Sequence, residues 1–359
     1  MKTRHTRKIV LLVSGITVAC LVIAGICVAL YLVNMWKSAD KPNLDTMFMH
    51  EPVPVIDFER SGESESPPAP DDSTSSATIF HNGKYYELDD TSINILFLGI
   101  DATDENQFEN VGTNAHQSDV LILIKVNPET REVSFINIPR NTIAEVRQYD
   151  ATWQYAVITQ SPICIQHAFG DGAHVSCAMT VDAVKNLLYG IPISKYVSMN
   201  MDGMVRANDA IGGITLKLLD DFTAINKKME KGVEYTLRGN EAKMYLKGRL
   251  VEGLDGTNLS RIKRQVQYYK AFFKVLKDKL ISNPMAAYDL YNQLKDSVYT
   301  DMELKEIMYL ARMVQDMDIS DDRIHTLTGT VDEATDDFYA DEEALKELLI
   351  NVFFVEVTE

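Results

Sequence analysis

The sequence predicts an α/β fold, a mixed β-sheet covered by helices, joined to one N-terminal transmembrane helix. Three observations carry that expectation. From Thr78 onward, apolar runs of strand length alternate with segments of helical spacing, a pattern that stacks helices on a sheet. Three such runs follow in close succession, Ile93–Asp101, Val120–Val126 and Val133–Ile138. Ahead of them, Ile9 to Trp36 holds no charged residue, a stretch longer than the roughly 20 residues a bilayer requires.

The elements follow in chain order. Lys2, Arg4, Arg7 and Lys8 form a basic flank, which stays in the cytoplasm and leaves the rest of the chain outside. Tyr31 and Trp36 suit an interfacial belt. A cleaved signal peptide would have an apolar core of about 7–15 residues and a small-residue cleavage site. This run is longer and ends in Asn34-Met35-Trp36-Lys37, so an uncleaved single-pass anchor in the cell membrane is expected. The plan is a cytoplasmic flank at 1–8, a membrane helix at 9–36 and a disordered extracellular linker at 37–78. Ser61–Ala77 is rich in Ser, Pro, Glu and Asp and cannot bury a core. The main domain then spans 79–282, and a C-terminal helical part, 283–359, packs on it or completes it.

Within the domain, His81–Tyr86 reads as a hairpin turning at Asn82-Gly83. Val181, Val184, Leu187 and Leu188 fall at helical spacing, with Gly190 as the stop. Tyr196–Met201 and Ile214–Leu219 read as strands. A long helix is expected over Leu259–Leu280, with Val266, Tyr269, Phe273, Leu276 and Leu280 facing inward. Pro284–Leu294, Glu303–Met317 and Glu342–Phe353 read as helical, and Arg323–Thr328 as a late strand.

The net charge is −17, more negative still without the basic flank. This excludes nucleic acid as a partner, because such binding rests on a basic surface. Of four cysteines, Cys20 and Cys27 lie in the apolar span. Cys164 and Cys177 would face an oxidising compartment, so a disulfide between them is expected, tethering the loop that holds Gly170-Asp171-Gly172. Two buried free thiols are the alternative. No Cys-x-x-Cys, Gly-x-Ser-x-Gly, His-Glu-x-x-His or Gly-Lys-Ser occurs, so zinc, serine-nucleophile and P-loop chemistries find no signature.

The polar residues at the strand ends carry the chemistry. Asp101 closes the first run, Gln117-Ser118-Asp119 opens the second, and Pro139-Arg140-Asn141-Thr142 closes the third. Two carboxylates can share a divalent cation, and a guanidinium fork matches phosphate. Asp119 could instead simply pair Arg140, and Asp101 could cap a turn. Further on, Asn258 is an N-cap candidate. Arg261, Arg264 and Gln265 then share one face of the first helical turns, where free N–H groups already favour an anion. Lys247 and Arg249 lie just upstream, on one side of an extended segment. Asn208-Asp209 before Gly212-Gly213 reads as a turn, and His167 as a packed core residue. Met199, Met201 and Met204 read as core, with an isoprenoid-pocket lining as the alternative.

In order and spacing these segments resemble the LytR-CpsA-Psr family. The residues are Gly99-x-Asp101, Ser118-Asp119, Ile138-Pro139-Arg140, Lys247-x-Arg249 and Arg261-x-x-Arg264-Gln265, with Ala168–Gly172 and Asn208–Ile214 between them. The resemblance covers Ile93 to Gln265. It implies an α/β/α layered domain with a pocket for a lipid chain. It also implies a cell-wall transferase of Gram-positive bacteria that moves a glycopolymer, such as teichoic acid or capsule, from a polyprenyl-pyrophosphate carrier to peptidoglycan. Asp101 and Asp119 match the family's acids for Mg²⁺ or Mn²⁺. Arg140, Arg249, Arg261 and Gln265 match its diphosphate contacts, with Lys247 and Arg264 as further cations of those motifs. Catalysis would rest on Asp101, Asp119 and Arg140. Four positions depart from the pattern: Gln117 for Arg, Asn141 for an acid, Lys247 for Arg and Asn258 for Asp. They keep two other readings open, a polyprenyl-pyrophosphate hydrolase and a non-catalytic wall-binding or regulatory protein.

Overall fold

The computed structural model describes residues 78–104, 116–149, 155–248, 254, 258–283, 285–317 and 320–357. The expected anchor, nearly all of the linker and Arg249 lie outside them. Among the described residues no helix is long and apolar enough to cross a membrane.

β1 (Thr78–His81) and β2 (Lys84–Leu88) form the expected hairpin. Asn82 and Gly83 both take positive φ, 50° and 79°, which a tight two-residue turn requires. β3 (Ile93–Ile100), β4 (Ser118–Asn127) and β5 (Glu132–Ile138) are neighbouring antiparallel strands. The next pair, β6 (Ile143–Tyr149) and β7 (Tyr155–Pro162), is a two-stranded ribbon not among the expected elements. A 3-10 helix over Ile163–Phe169 leads to α1 (His174–Leu187). Asp171 starts α1, its Oδ1 accepting from the backbone N–H groups of Ala173 at 2.8 Å and Ser176 at 3.1 Å. Gly190, at φ 83°, ends that segment by donating its N–H to Lys185 O at 2.7 Å.

β8 (Lys195–Asn200) lies parallel to β3 and runs straight into α2 (Met201–Ala210). β9 (Ile214–Lys217) pairs with β10 (Glu234–Leu237), and α3 (Gly239–Lys247) follows. The long helix is α4 (Asn258–Ser282). Beyond it come α5 (Ala286–Leu294), β11 (Val298–Thr300), α6 (Leu304–Val314) and β12 (Ile324–Thr326). The chain closes with β13 (Gly329–Val331), β14 (Phe338–Ala340), α7 (Glu342–Phe353) and β15 (Phe354–Glu356).

The central sheet is six-stranded, in the order β11-β8-β3-β4-β5-β12, with parallel and antiparallel neighbours mixed. Both its faces are buried, and period-two alternation sorts the side chains between them. Leu96, Leu98, Leu121, Leu123 and Ile136 pack under α1 and α7. Ile95, Ile122, Val126, Val133 and Phe135 pack on the other face with Tyr269 of α4. The result is the α/β/α layering expected. Residues 283–359 supply both rims of the sheet, β11 and β12, so the C-terminal part completes the domain.

Candidate functional site

The site grows from an irregularity in the sheet. β3 and β4 pair regularly from Ile93↔Val126 to Gly99↔Val120, and then Ile100 pairs with Ser118. Asp119 is the unmatched residue of this bulge, and bulges re-aim side chains at sheet rims. The ladder resumes where Asp101 N donates to Gln117 O at 3.0 Å. Asp101, Gln117 and Asp119 therefore meet at one end of two adjacent strands, and Arg140 comes to them from the end of β5.

Arg140 is mostly buried and held on two sides. NH1 donates to Asp119 Oδ1 and NH2 to Gln117 Oε1. NH2 also donates to Cys164 Sγ at 3.2 Å. Its Nε–H is buried with no acceptor among the described residues. Burial opposes the charge, but Asp119, Cys164 and Asp101 together hold the guanidinium pKa above its ordinary value. Arg261 of α4 is only 2 % exposed, with NH1 4.0 Å from Asp119 Oδ2. Two guanidinium groups thus flank one carboxylate. Across the rim, Lys247 Nζ donates to Asp101 Oδ1; both side chains are partly open to solvent, so that pair contributes little to stability by itself. Gln265, 6 % exposed, donates Nε2 to Leu246 O at 3.4 Å.

Arg264 is the exception among the expected phosphate contacts. It is fully buried and turned away from the rim. Nε donates to Tyr245 O at 2.9 Å, NH2 to Gly248 O at 2.6 Å, and NH1 to Ser260 Oγ at 3.1 Å and to Asp220. Its donors already serve the protein, so Arg264 fixes the end of α3 against α4 instead of meeting a diphosphate. Arg261 and Arg264 lie only about 60° apart around the helix, so these hydrogen bonds, and not the helix rotation, draw Arg264 away from Arg261.

The disulfide expectation is also corrected: Cys164 and Cys177 are both free and buried. The 3-10 helix holds Cys164 against Arg140, and burial pushes its thiol pKa up. Cys177 sits on α1 with Sγ 3.9 Å from His167 Nε2, and burial raises its pKa to about 12. His167 is a core residue, as expected. Its Nδ1 is 2.8 Å from His116 O, and burial lowers its pKa to about 4. Asn208 is likewise structural: its Nδ2 donates to Leu237 O at 3.1 Å and its Oδ1 accepts from Tyr268 OH at 2.8 Å.

Two departures gain a physical reason. Asn141 donates Nδ2 to Asp336 O at 2.7 Å and to Asp336 Oδ2 at 3.0 Å. A carboxylate at 141 would face that of Asp336, whereas the amide fastens it. At 117, an arginine would set a second cation against Arg140, whereas the glutamine oxygen accepts from it. Asn258 opens α4; its side chain lies outside the described ones.

Beneath the rim lies a cavity enclosing about 940 Å³ of empty space, counting its open mouth. Phe97, Val120, Ile122 and Ile124 of the sheet line it, with Met199, Met201, Met204, Tyr268, Tyr269, Phe272 and Phe273. Its charged or amide-bearing members are Asp119, Lys247 and Gln265. Sequence reading turned Tyr269 and Phe273 inward but did not assign them, or Tyr268 and Phe272 beside them, to the lining of a cavity. For a metal the donor set is hard oxygen only. No group of three or more His, Cys, Asp or Glu side chains stands together among the described residues. Asp101 and Asp119 fit an ion such as Mg²⁺ that takes one or two carboxylates and completes its shell with phosphate oxygens and water.

Fold and site together define an α/β/α domain with an acid-and-guanidinium rim over an apolar cavity. The chain belongs to the LytR_cpsA_psr family, whose model matches residues 58–351. The polyisoprenyl-teichoic acid–peptidoglycan teichoic acid transferase TagU of Halalkalibacterium halodurans is 30% identical over 210 residues, 58% of this chain and 61% of that relative. The match thus spans less than two thirds of the relative's length. TagU of Bacillus subtilis is 26% identical over 264 residues, 71% of this chain and 74% of the relative. The crystal structure of B. subtilis TagV superposes with a TM-score of 0.54 at 24% identity, covering 72% of this chain and 94% of that one.

Proposed function

We propose that the protein is a membrane-anchored extracytoplasmic transferase that moves a glycopolymer from a polyprenyl-pyrophosphate carrier to peptidoglycan. One observation carries this reading. Asp119, Lys247 and Gln265 line the same space as Met199, Met204 and Phe272, so one molecule with a diphosphate head and an isoprenoid chain matches both parts. The names of the two TagU relatives, with polyisoprenyl-linked teichoic acid and peptidoglycan, support the substrate class.

In this reading a hydroxyl oxygen of the wall sugar attacks the phosphorus that bears the glycopolymer. A new P–O bond forms, and the bond from that phosphorus to the bridging oxygen breaks. Polyprenyl phosphate departs with the bridging oxygen, and the hydroxyl proton passes to solvent. Such transfers depend mainly on positioning and charge stabilisation. Arg140 and Arg261 hold non-bridging oxygens and offset charge building on the departing phosphate. Gln265 and Lys247 guard the mouth, where Lys247 acts as a point charge without a fork. Asp101 and Asp119 would hold Mg²⁺ or Mn²⁺, which supplies further charge neutralisation at the diphosphate when bound.

The test incubates the full chain with a polyprenyl-pyrophosphate-linked glycopolymer, wall fragments and Mg²⁺. Polymer joined to the wall is the expected product. Release of phosphorylated polymer without joining would make the protein a hydrolase, and tight binding without turnover would make it a binding protein. Asp119→Ala is expected to lower the transfer rate by roughly 10²–10³, the usual loss for a removed charge-stabilising group.

A further inference from the structure

Arg140 has more partners than an ion pair requires. The Asp119 contact uses NH1 only. NH2 is held separately by two uncharged groups from different parts of the chain, Gln117 Oε1 ahead of β4 and Cys164 Sγ in the 3-10 helix. These two also meet each other, with the thiol 3.6 Å from the amide oxygen. The backbone ties the same pieces together: Cys164 N donates to Arg140 O at 3.1 Å, and Ser118 Oγ to Cys164 O at 3.3 Å. Cys164 is 1 % exposed, so its hydrogen bond is sheltered from water. Meanwhile the buried Nε–H lacks an acceptor among the described residues.

We propose that Gln117 and Cys164 are positioning residues that latch one end of the Arg140 guanidinium, so that its other end stays aimed at the diphosphate when Asp119 is drawn off by a cation. The inference rests on the diphosphate reading above and deepens it. An arginine held by Asp119 alone would swing away once that carboxylate found another partner, because a flexible side chain regains its rotamers when its contact is lost. Neutral acceptors avoid this. They orient the guanidinium without competing for its charge, so the full charge remains for phosphate oxygens. Gln117 thereby does something an arginine at this position could not, since arginine has no acceptor.

The experiment measures binding of inorganic pyrophosphate to the full chain by calorimetry, with Mg²⁺ present. Wild type is compared with Arg140→Ala, Gln117→Met, Cys164→Ala and Cys164→Ser, and melting temperatures are recorded alongside. Gln117→Met keeps length and volume but removes the acceptor, and is expected to weaken binding about tenfold, the usual scale of a hydrogen bond to a charged group. Cys164→Ala is expected to weaken it about threefold, and Cys164→Ser, whose hydroxyl still accepts, to return it to within about twofold of wild type. A merely structural cysteine would show no such rescue. If Arg140→Ala binds as wild type does, the diphosphate reading falls and the latch with it. If Arg140→Ala loses binding while Gln117→Met and Cys164→Ala retain it, the latch alone is overturned. Should Gln117→Met fail to fold, the Cys164 pair decides by the same comparison.

Discussion

Gly99 and Val120 face each other across β3 and β4 so closely that a Cβ on Gly99 would lie 2.9 Å from the Val120 Cβ. That is below any ordinary carbon contact, and the pair is the last regular rung before the bulge that frees Asp119. Gly99→Ala must therefore push the two strands apart at the rim. The expected cost is about 1–3 kcal/mol of stability, as for other overpacked sites. Pyrophosphate affinity should fall with it, because Asp119 and Arg140 move together. Chemical denaturation and calorimetry on the same variant check both, and an unchanged affinity would show that the bulge does not set the rim.

The cavity should matter for the chain of a carrier and not for its head. Met204→Trp places a bulky ring among Met199, Tyr268 and Phe272. A polyprenyl-pyrophosphate analogue is expected to bind at least about tenfold more weakly, on the scale of a lost apolar side-chain contact. Inorganic pyrophosphate should bind within about twofold of wild type. Equal loss for both ligands would place the substitution's effect on the rim instead.

His167 builds a pH dependence into stability. Its pKa is about 4 in the fold, depressed by burial, and near 6.5 when the chain unfolds. Between those values the unfolded chain binds the proton and the folded one does not, so stability falls as pH drops from about 6.5 toward 4. The loss approaches about 3 kcal/mol. Melting temperatures across that range should decline for wild type and flatten for His167→Gln. A parallel decline in both would assign the effect elsewhere.

The two thiols of the domain should behave as separate groups. Unfolding without reductant and alkylating at once is expected to label both Cys164 and Cys177 in intact-protein and peptide mass spectra. A Cys164–Cys177 cross-linked peptide under those conditions would contradict the placement of Cys164 at Arg140.

Much of the sheet was legible because its strands are short, nearly unbroken runs of Val, Ile and Leu, as two buried faces demand. Ile93–Ile100 and Val120–Val126 show this directly, whereas Val133–Ile138 and Tyr196–Met201 are interrupted by Ser and Asn. Strand β7 was not legible, since Tyr155, Val157 and Ile158 are exposed and carry no alternation between core and solvent. Its partner β6 does alternate, with Ala144 and Val146 buried and Glu145 and Arg147 exposed, and was overlooked. β11 and β13 are three residues long, too short for any periodicity. At the site, residue type revealed the charges but not their aim. Arg261 and Arg264 looked equivalent from spacing, and what separates them are partners distant in the chain, among them Asp220, 44 positions away, and the carbonyls of Tyr245 and Gly248. The disulfide expectation failed for a related reason: compartment chemistry says what two thiols could do, whereas the 3-10 helix had already committed Cys164 to Arg140. Gln117 was seen as a lost cation, and its acceptor oxygen went unused in that reading because its partner is 23 residues away.

The rims of the central sheet consist of β11 and β12, the latter ending at Thr326. A ribosome-bound chain stopped short of that residue would leave β5 with a bare edge, and one stopped before Val298 would leave β8 bare as well. Exposed edges invite pairing with other chains, and contacts between distant parts of the sequence form slowly. The rim strands are thus synthesised well after the strands they protect, so nascent molecules pass through a window of aggregation risk that opens once β5 and β8 are made and closes only when β11 and β12 follow.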